Sequence, residues 1–417
     1  MIYFSSVKIL LEKIRNTRLK GLLFTSLGHF INDGESFLVP VVVAALVAQR
    51  GILPLDVTLM YLAFYLSSAV LSVYIGNVAD RTGHPGPLIA VGLAIVSFGF
   101  LGFYASGTYS NGSLLISALV LSAFLAGLGG AFFHPLSATI LQSAFEDKSR
   151  GKALGINGAV GSIGRALYPS LLFLIAVFVP VFYSVAILAI IGLVAALLIW
   201  IGLKTVQTTD KQPIEARIKL REVLTKGIIV LTIVAFVRSF AVIGINSWIP
   251  TFISIQKNTG ITNVLGITLT IMYASAIIGQ PLFGVLVDKF DKRLILGISS
   301  VGSALSIVGY LFTTGISEIV FLSLFGFFAF SAFPLVFALS RDYATLGGSS
   351  LANALVWGLG VTGGGAVGPA VTGLIVANDY SNLTLAFEVM ATVTLVSAIM
   401  TVLIPKARKS TKVPLFH

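Results

Sequence analysis

The stretch GLLFTSLGHFINDGESFLVPVVVAALVAQ, residues 21–49, lies between Lys20 and Arg50 and is long enough to cross a membrane as one helix. A hydrocarbon core about 30 Å thick needs roughly 20 residues at 1.5 Å rise each. Within this apolar run stand His29, Asn32, Asp33 and Glu35. Ionised groups at such depth cost several kcal/mol unless something compensates or uses them. The run therefore fixes a membrane environment and marks a candidate site together.

The rest of the chain repeats the first signal. Of 417 residues, 10% are charged and 56% hydrophobic, where a soluble domain carries about 25% charged residues. Apolar stretches fall near 20–49, 56–78, 86–107, 113–142, 150–178, 180–203, 227–256, 263–287, 292–314, 318–341, 349–377 and 383–405. All are far too long for barrel strands. The predicted fold is thus an all-α integral membrane protein of twelve transmembrane helices. Of the 27 Lys and Arg residues, 23 lie at the termini or in alternate loops on one side; only Arg50 and Lys257 lie in the opposite loops, and Arg165 and Arg238 lie inside spans. The positive-inside rule then puts both termini in the cytoplasm and the chain in the cytoplasmic membrane. The +11 net charge is a topology signal rather than a nucleic-acid footprint, because no basic stripe with interleaved aromatics is present. Without cysteine, and with four scattered histidines, no metal or cofactor is expected.

Residues 1–19 mix Lys8, Lys13, Arg15 and Arg18 with Val7, Leu10, Leu11 and Ile14, and read as an amphipathic helix on the cytoplasmic surface. Residues 204–226 form the longest polar segment and read as a cytoplasmic linker between bundles at 20–203 and 227–405, with a basic tail at 406–417. The two halves echo each other. GNVAD at 76–80 recurs as GVLVD at 284–288, FLVP ending at Pro40 as SWIP ending at Pro250, and FFHP ending at Pro135 as SAFP ending at Pro334. Each pair falls on the corresponding span of its own six, which indicates two pseudo-symmetric six-helix bundles.

GNVADRTGHPGPLI, residues 76–89, resembles the loop 2–3 signature of the major facilitator superfamily, and GVLVDKFDKRLIL at 284–296 resembles its second copy. The likeness covers essentially the whole chain. GHFINDG in span one and GLGGAFFHP in span four also resemble fosmidomycin-resistance type exporters of that superfamily. The resemblance implies two rocking domains, a midplane cavity lined by spans 1, 4, 7 and 10, and alternating access. It also implies a gating role for Gly76, Asp80, Arg81, Gly83, Gly284 and Asp288. In that scheme Asp80 meets the start of span eleven at Gly347–Ser350, and Asp288 the start of span five near Arg150 and Lys152.

Depth, counted along each helix, puts Asp33, His134, Arg165 and Arg238 about 18–21 Å from the cytoplasmic end, in one layer. His29, Asn32, Asp33 and Ser36 follow i, i+3, i+4, i+7 and share a stripe, assigned to the cavity. Glu35 points about 160° away from Asp33, at 100° per residue. Arg165 is expected to pair with Glu35 or, alternatively, with Asp33. Desolvation penalises the ionised carboxylate, so Asp33 is expected to exchange a proton. His134, an imidazole before a helix-loosening proline, is expected to exchange with it. Asp33, Glu35, His134 and Arg165 are thus the proton-coupling candidates. Arg238 has no evident acid at its depth in spans seven to twelve and is expected to meet either Asp33 or a substrate anion. His29, Asn32, Ser36, Arg238, Asn246, Trp248 and Trp357 are the candidate substrate contacts.

The expected function is proton-coupled secondary transport of a small organic solute, by export through solute/proton antiport. The alternative is uptake of a small organic anion by proton symport, with Arg238 on the anion. The partners are the solute, protons and the lipid bilayer, with no nucleic acid, and the chain is expected to act as a monomer. No GxxxxGK[ST] loop for ATP is present, and two moving halves argue against an enzyme.

Overall fold

In a computed structural model, residues 17–82, 84–145, 147–206, 220–344, 352–353 and 355–406 are described. Among these residues the chain is helical, without strands. Eleven helices are long and apolar enough to cross a membrane, and Ile316–Ser331 is a shorter apolar helix in the tenth position. Span one runs Thr17–Arg50, span two Pro54–Thr82, span three Pro85–Tyr109, span five Asp147–Ala176 and span six Val181–Leu203. Span seven runs Lys226–Ile255, span eight Asn263–Lys289, span nine Lys292–Phe312 and span twelve from Leu383. The amphipathic segment before Thr17, most of the linker and the tail after Lys406 lie outside the described residues.

Two spans are broken at the repeated prolines. Span four divides into Gly112–Gly130 and Phe133–Ala144, and span ten into Ile316–Ser331 and Phe333–Tyr343. Pro135 and Pro334 lack the N–H that would close the turn before them, so each helix restarts just ahead of its proline. Span eleven carries a different irregularity, a π-helical segment Leu355–Thr362 preceding Gly363–Val376.

The contacts divide the chain into two compact units. The first comprises residues 1–214 with 250–270, and the second 215–249 with 271–417. In unit 1, span one packs along span five, span three against spans four and six, and span two against span four. Arg50 ties the end of span one to the end of span three, donating to the Gly107 carbonyl at 2.7 Å and to Asn111 Oδ1 at 2.8 Å. Residues 250–270 join this unit through Thr270, whose Oγ1 donates to the Ala166 carbonyl at 2.7 Å. Span six shows the solvent preference of a membrane protein. Ile187, Ile191, Val194 and Leu198 are exposed at helical spacing, while Val185, Leu188, Ala189 and Ala195 are buried.

In unit 2, span nine packs against spans ten and twelve. Its core gathers Leu231, Val234 and Ala235 of span seven with Leu296, Leu335, Leu339 and Val356.

The duplication is visible in the packing. A Cβ at Gly127 would run into the backbone carbonyl of Phe64, and one at Gly326 into that of Met272. Beside these contacts, Ser67 Oγ donates to the Phe64 carbonyl at 3.1 Å and Ser275 Oγ to the Met272 carbonyl at 2.6 Å. Spans two and four in one unit therefore cross as spans eight and ten do in the other, with glycine at the point of closest approach.

Candidate functional site

The site lies in unit 1, where one face of span one meets one face of span five. Asp33 is 2% exposed, and its two carboxylate oxygens have separate partners. Oδ2 accepts from Arg165 Nη2 at 2.8 Å and lies 3.5 Å from His29 Nε2. Oδ1 accepts from Asn32 Nδ2 at 3.2 Å and lies 3.6 Å from His134 Nε2. The Arg165 guanidinium also stacks over the Phe37 ring at 4.3 Å, which orients its fork. The break in span four places His134 at the start of its second segment. There the imidazole side chain is 50% exposed and its ring stands edge-on to that of His29, 5.3 Å between centroids.

Of the alternatives for Arg165, the structure selects Asp33. Glu35, on the opposite side of span one, is fully buried and accepts from Ser97 Oγ of span three at 3.0 and 3.3 Å. Among the described residues it has no ion-pair partner. The expectation that Glu35 would take Arg165 fails because span five lies against the stripe face of span one, while spans three and six cover the Glu35 face. Ser36, half-buried, lies near Gly130 at the break in span four.

The four histidines are scattered in sequence, yet ligand atoms of His29, Asp33 and His134 lie within 4.8 Å of one another. Two imidazoles and a carboxylate are a plausible donor set for a transition metal. The Arg165 cation beside Asp33 opposes a second positive charge here. Arg165 already neutralises Asp33, so a divalent ion would leave two uncompensated charges, each costing several kcal/mol in a buried site. One proton adds half that load and can be shared between Asp33 and the imidazoles.

Arg238, in unit 2, is 3% exposed. Its Nη2 donates to Ser299 Oγ at 3.0 Å and to the carbonyls of Phe328 and Ala329 at 3.2 and 2.9 Å. Those carbonyls lie in the last turn of Ile316–Ser331, beside the break in span ten, and that of Phe328 also accepts from Ser299 Oγ at 2.7 Å. The guanidinium thus caps a broken helix from span seven. Trp248 is fully buried and donates to the Pro369 carbonyl at 2.9 Å, and Asn246 accepts from Tyr273 Oη at 3.0 Å. Trp357 sits in the π-helical segment and packs on the core of unit 2.

The gating candidates are described only in part. Gly76, Asp80 and Arg81 continue the helix of span two and Asp288 that of span eight, but their side chains lie outside the described residues, as do Gly83 and residues 345–351. Gly284 is half-buried with open space at its Cβ position.

Residue-by-residue reading of span one missed two neighbours of the site. Asn157 lies 2.8 Å from His29 Nδ1, and Thr25 lies 3.2 Å from Asn157. The signal was present: Thr25, His29 and Asp33 are four apart, as are Asn157, Gly161 and Arg165, so each set lines one helix face.

No curated protein matches the chain. Among solved structures, a bacterial homologue of the human lysosomal transporter Spinster, inward-facing and occupied, superposes with a TM-score of 0.75 at 14% identity, covering 93% of this chain and 96% of its own. The nucleoside transporter NupG superposes with a TM-score of 0.74 at 16% identity, covering 94% of this chain and all of its own. At these identities the likeness is one of fold. The family model for the Major Facilitator Superfamily matches residues 25–264 and 255–416, nearly the whole chain. A helical membrane chain with two packed units, a duplicated glycine crossing and this match belongs to the Major Facilitator Superfamily, a multi-pass transporter family that works by alternating access.

Proposed function

We propose that this chain is a proton-coupled exporter in the cell membrane, a monomer that moves a small organic solute outward as protons move in. The observation that carries this reading is the Asp33 carboxylate, held between Arg165 at 2.8 Å and the two imidazoles at 3.5 and 3.6 Å. In the deprotonated state the Arg165–Asp33 pair ties span five to span one. A proton entering the cluster weakens that pair and changes how the two spans pack, and this biases the equilibrium between the two access states. His134, half exposed beside the break in span four, is the port through which the proton arrives. Asn32 and Ser36, on the same stripe, face the solute. The motif likeness to fosmidomycin-resistance type exporters supports the outward direction.

The test is proton flux in liposomes. With purified protein reconstituted and a pH gradient imposed, candidate solutes should drive proton movement opposite to their own. Asp33→Asn should abolish that coupling, and so should Asp33→Asn combined with Arg165→Gln, which removes both charges and strands neither. Wild-type solute movement indifferent to the gradient would reject the reading.

A further inference from the structure

His29 belongs to a chain of hydrogen bonds that the coupling scheme leaves unused. Thr25 Oγ1 donates its one hydrogen to the Gly21 carbonyl at 2.6 Å, so toward Asn157 it can only accept. Asn157 Nδ2 is the donor, at 3.2 Å. This fixes the orientation of the amide and turns its Oδ1 toward His29 Nδ1, 2.8 Å away. A carbonyl oxygen only accepts, so the hydrogen in that contact belongs to Nδ1. Nε2, facing Asp33 Oδ2 at 3.5 Å, is then bare in the neutral imidazole and is the atom that gains the next proton.

Steric evidence points the same way. Gly161 lies one turn beyond Asn157 on the same face of span five, and a Cβ there would collide with the His29 ring. Asn157, Gly161 and Arg165 thus serve three successive features of span one: the Nδ1 edge, the ring and the Asp33 carboxylate. The titratable groups facing His29 are Asp33 from its own helix, His134 from the second segment of span four and Arg165 from span five. The Phe133 ring covers another side, 5.0 Å between centroids.

We propose that Asn157 is a positioning residue, oriented by Thr25, that locks His29 as its Nδ1–H tautomer, so that the transported proton is held between His29 Nε2 and the Asp33 carboxylate. The proton-holding half rests on the proton-coupled reading above; the tautomer lock does not. In binding, the proton adds to the Nε2 lone pair, and the Arg165–Asp33 pair gains an imidazolium neighbour. On release it returns to water through the half-exposed His134 side.

The test reads the tautomer directly, by imidazole nitrogen NMR of histidine-labelled protein in liposomes. The chain has four histidines, and His29→Gln identifies the signal to follow. In the wild type at alkaline pH, Nδ1 should carry the hydrogen and Nε2 should be bare; on acidification Nε2 should become protonated. Thr25→Val and Asn157→Leu should both release the lock and give an Nε2–H population, whereas Thr25→Ser should keep the wild-type pattern. Asn157→Leu should also move the pH at which proton flux is half-maximal, where damage to structure alone would lower flux equally at every pH. An Nε2–H signal in neutral wild-type protein would overturn the proposal without any variant having to fold, as would an unchanged tautomer in Asn157→Leu. A locked tautomer together with pH-indifferent wild-type transport would sink the proton-holding half and the antiport reading, and leave Asn157 as a structural clamp.

Discussion

Arg165 Nη2 and Asp33 Oδ2, on spans five and one, are joined by a 2.8 Å ion pair whose side chains are 10% and 3% exposed. Removing one partner of such a pair strands the other charge, at a cost of about 3–5 kcal/mol, whereas removing both costs far less. Arg165→Gln should therefore lower thermal stability sharply, and Asp33→Asn combined with Arg165→Gln should recover most of the loss. A double-mutant cycle on thermal unfolding checks this, and strict additivity would show that the pair is not coupled.

Arg238 makes a different prediction, because its partners are carbonyls and a hydroxyl. Arg238→Met keeps much of the volume but takes the guanidinium from the Ala329 carbonyl, while Phe328 keeps Ser299 Oγ at 2.7 Å, at a cost of about 1–3 kcal/mol. Thermal unfolding should register this loss. Solute binding by the folded fraction should be unchanged; selective loss of anion binding would restore the symport alternative.

Gly127 and Gly326 should behave as a pair. Alanine at either position forces a neighbouring backbone carbonyl away, so each should cost about 1–3 kcal/mol, as overpacking does. Similar penalties at both sites, read from unfolding midpoints, are the outcome expected of a true duplication.

Asp291 caps the first turn of span nine, accepting from the Arg293 backbone N–H at 2.9 Å and from its guanidinium. The Arg293 side chain holds this carboxyl below its usual range. A depressed carboxylate contributes stability at neutral pH and loses it as pH falls through and below the ordinary aspartate range, about 4. Asp291→Ala should cost about 0.5–2 kcal/mol at neutral pH, and the difference from wild type should vanish in acid. Hydrogen exchange of the first amides of Lys292–Phe312 follows it.

The span boundaries were legible in the sequence because hydrocarbon thickness sets helix length, so a long run such as Val181–Leu203 admits few other readings. The breaks at Pro135 and Pro334 follow from chemistry local to proline. What the sequence left open was which faces meet. Periodicity separates Asp33 from Glu35 on span one but does not say which neighbour lies beyond each, and both acids were candidates for Arg165. Nor does distance along the chain bring His134 or Asn157 to His29; the packing of spans four and five on span one does. Nor does the sequence show that Arg238 meets the Phe328 and Ala329 carbonyls, a contact that needs the break in span ten to lie beside span seven. A charge in a membrane helix is visible in one dimension, whereas its partner is chosen by the rotation of two helices about their axes, and that rotation is decided by many small contacts at once.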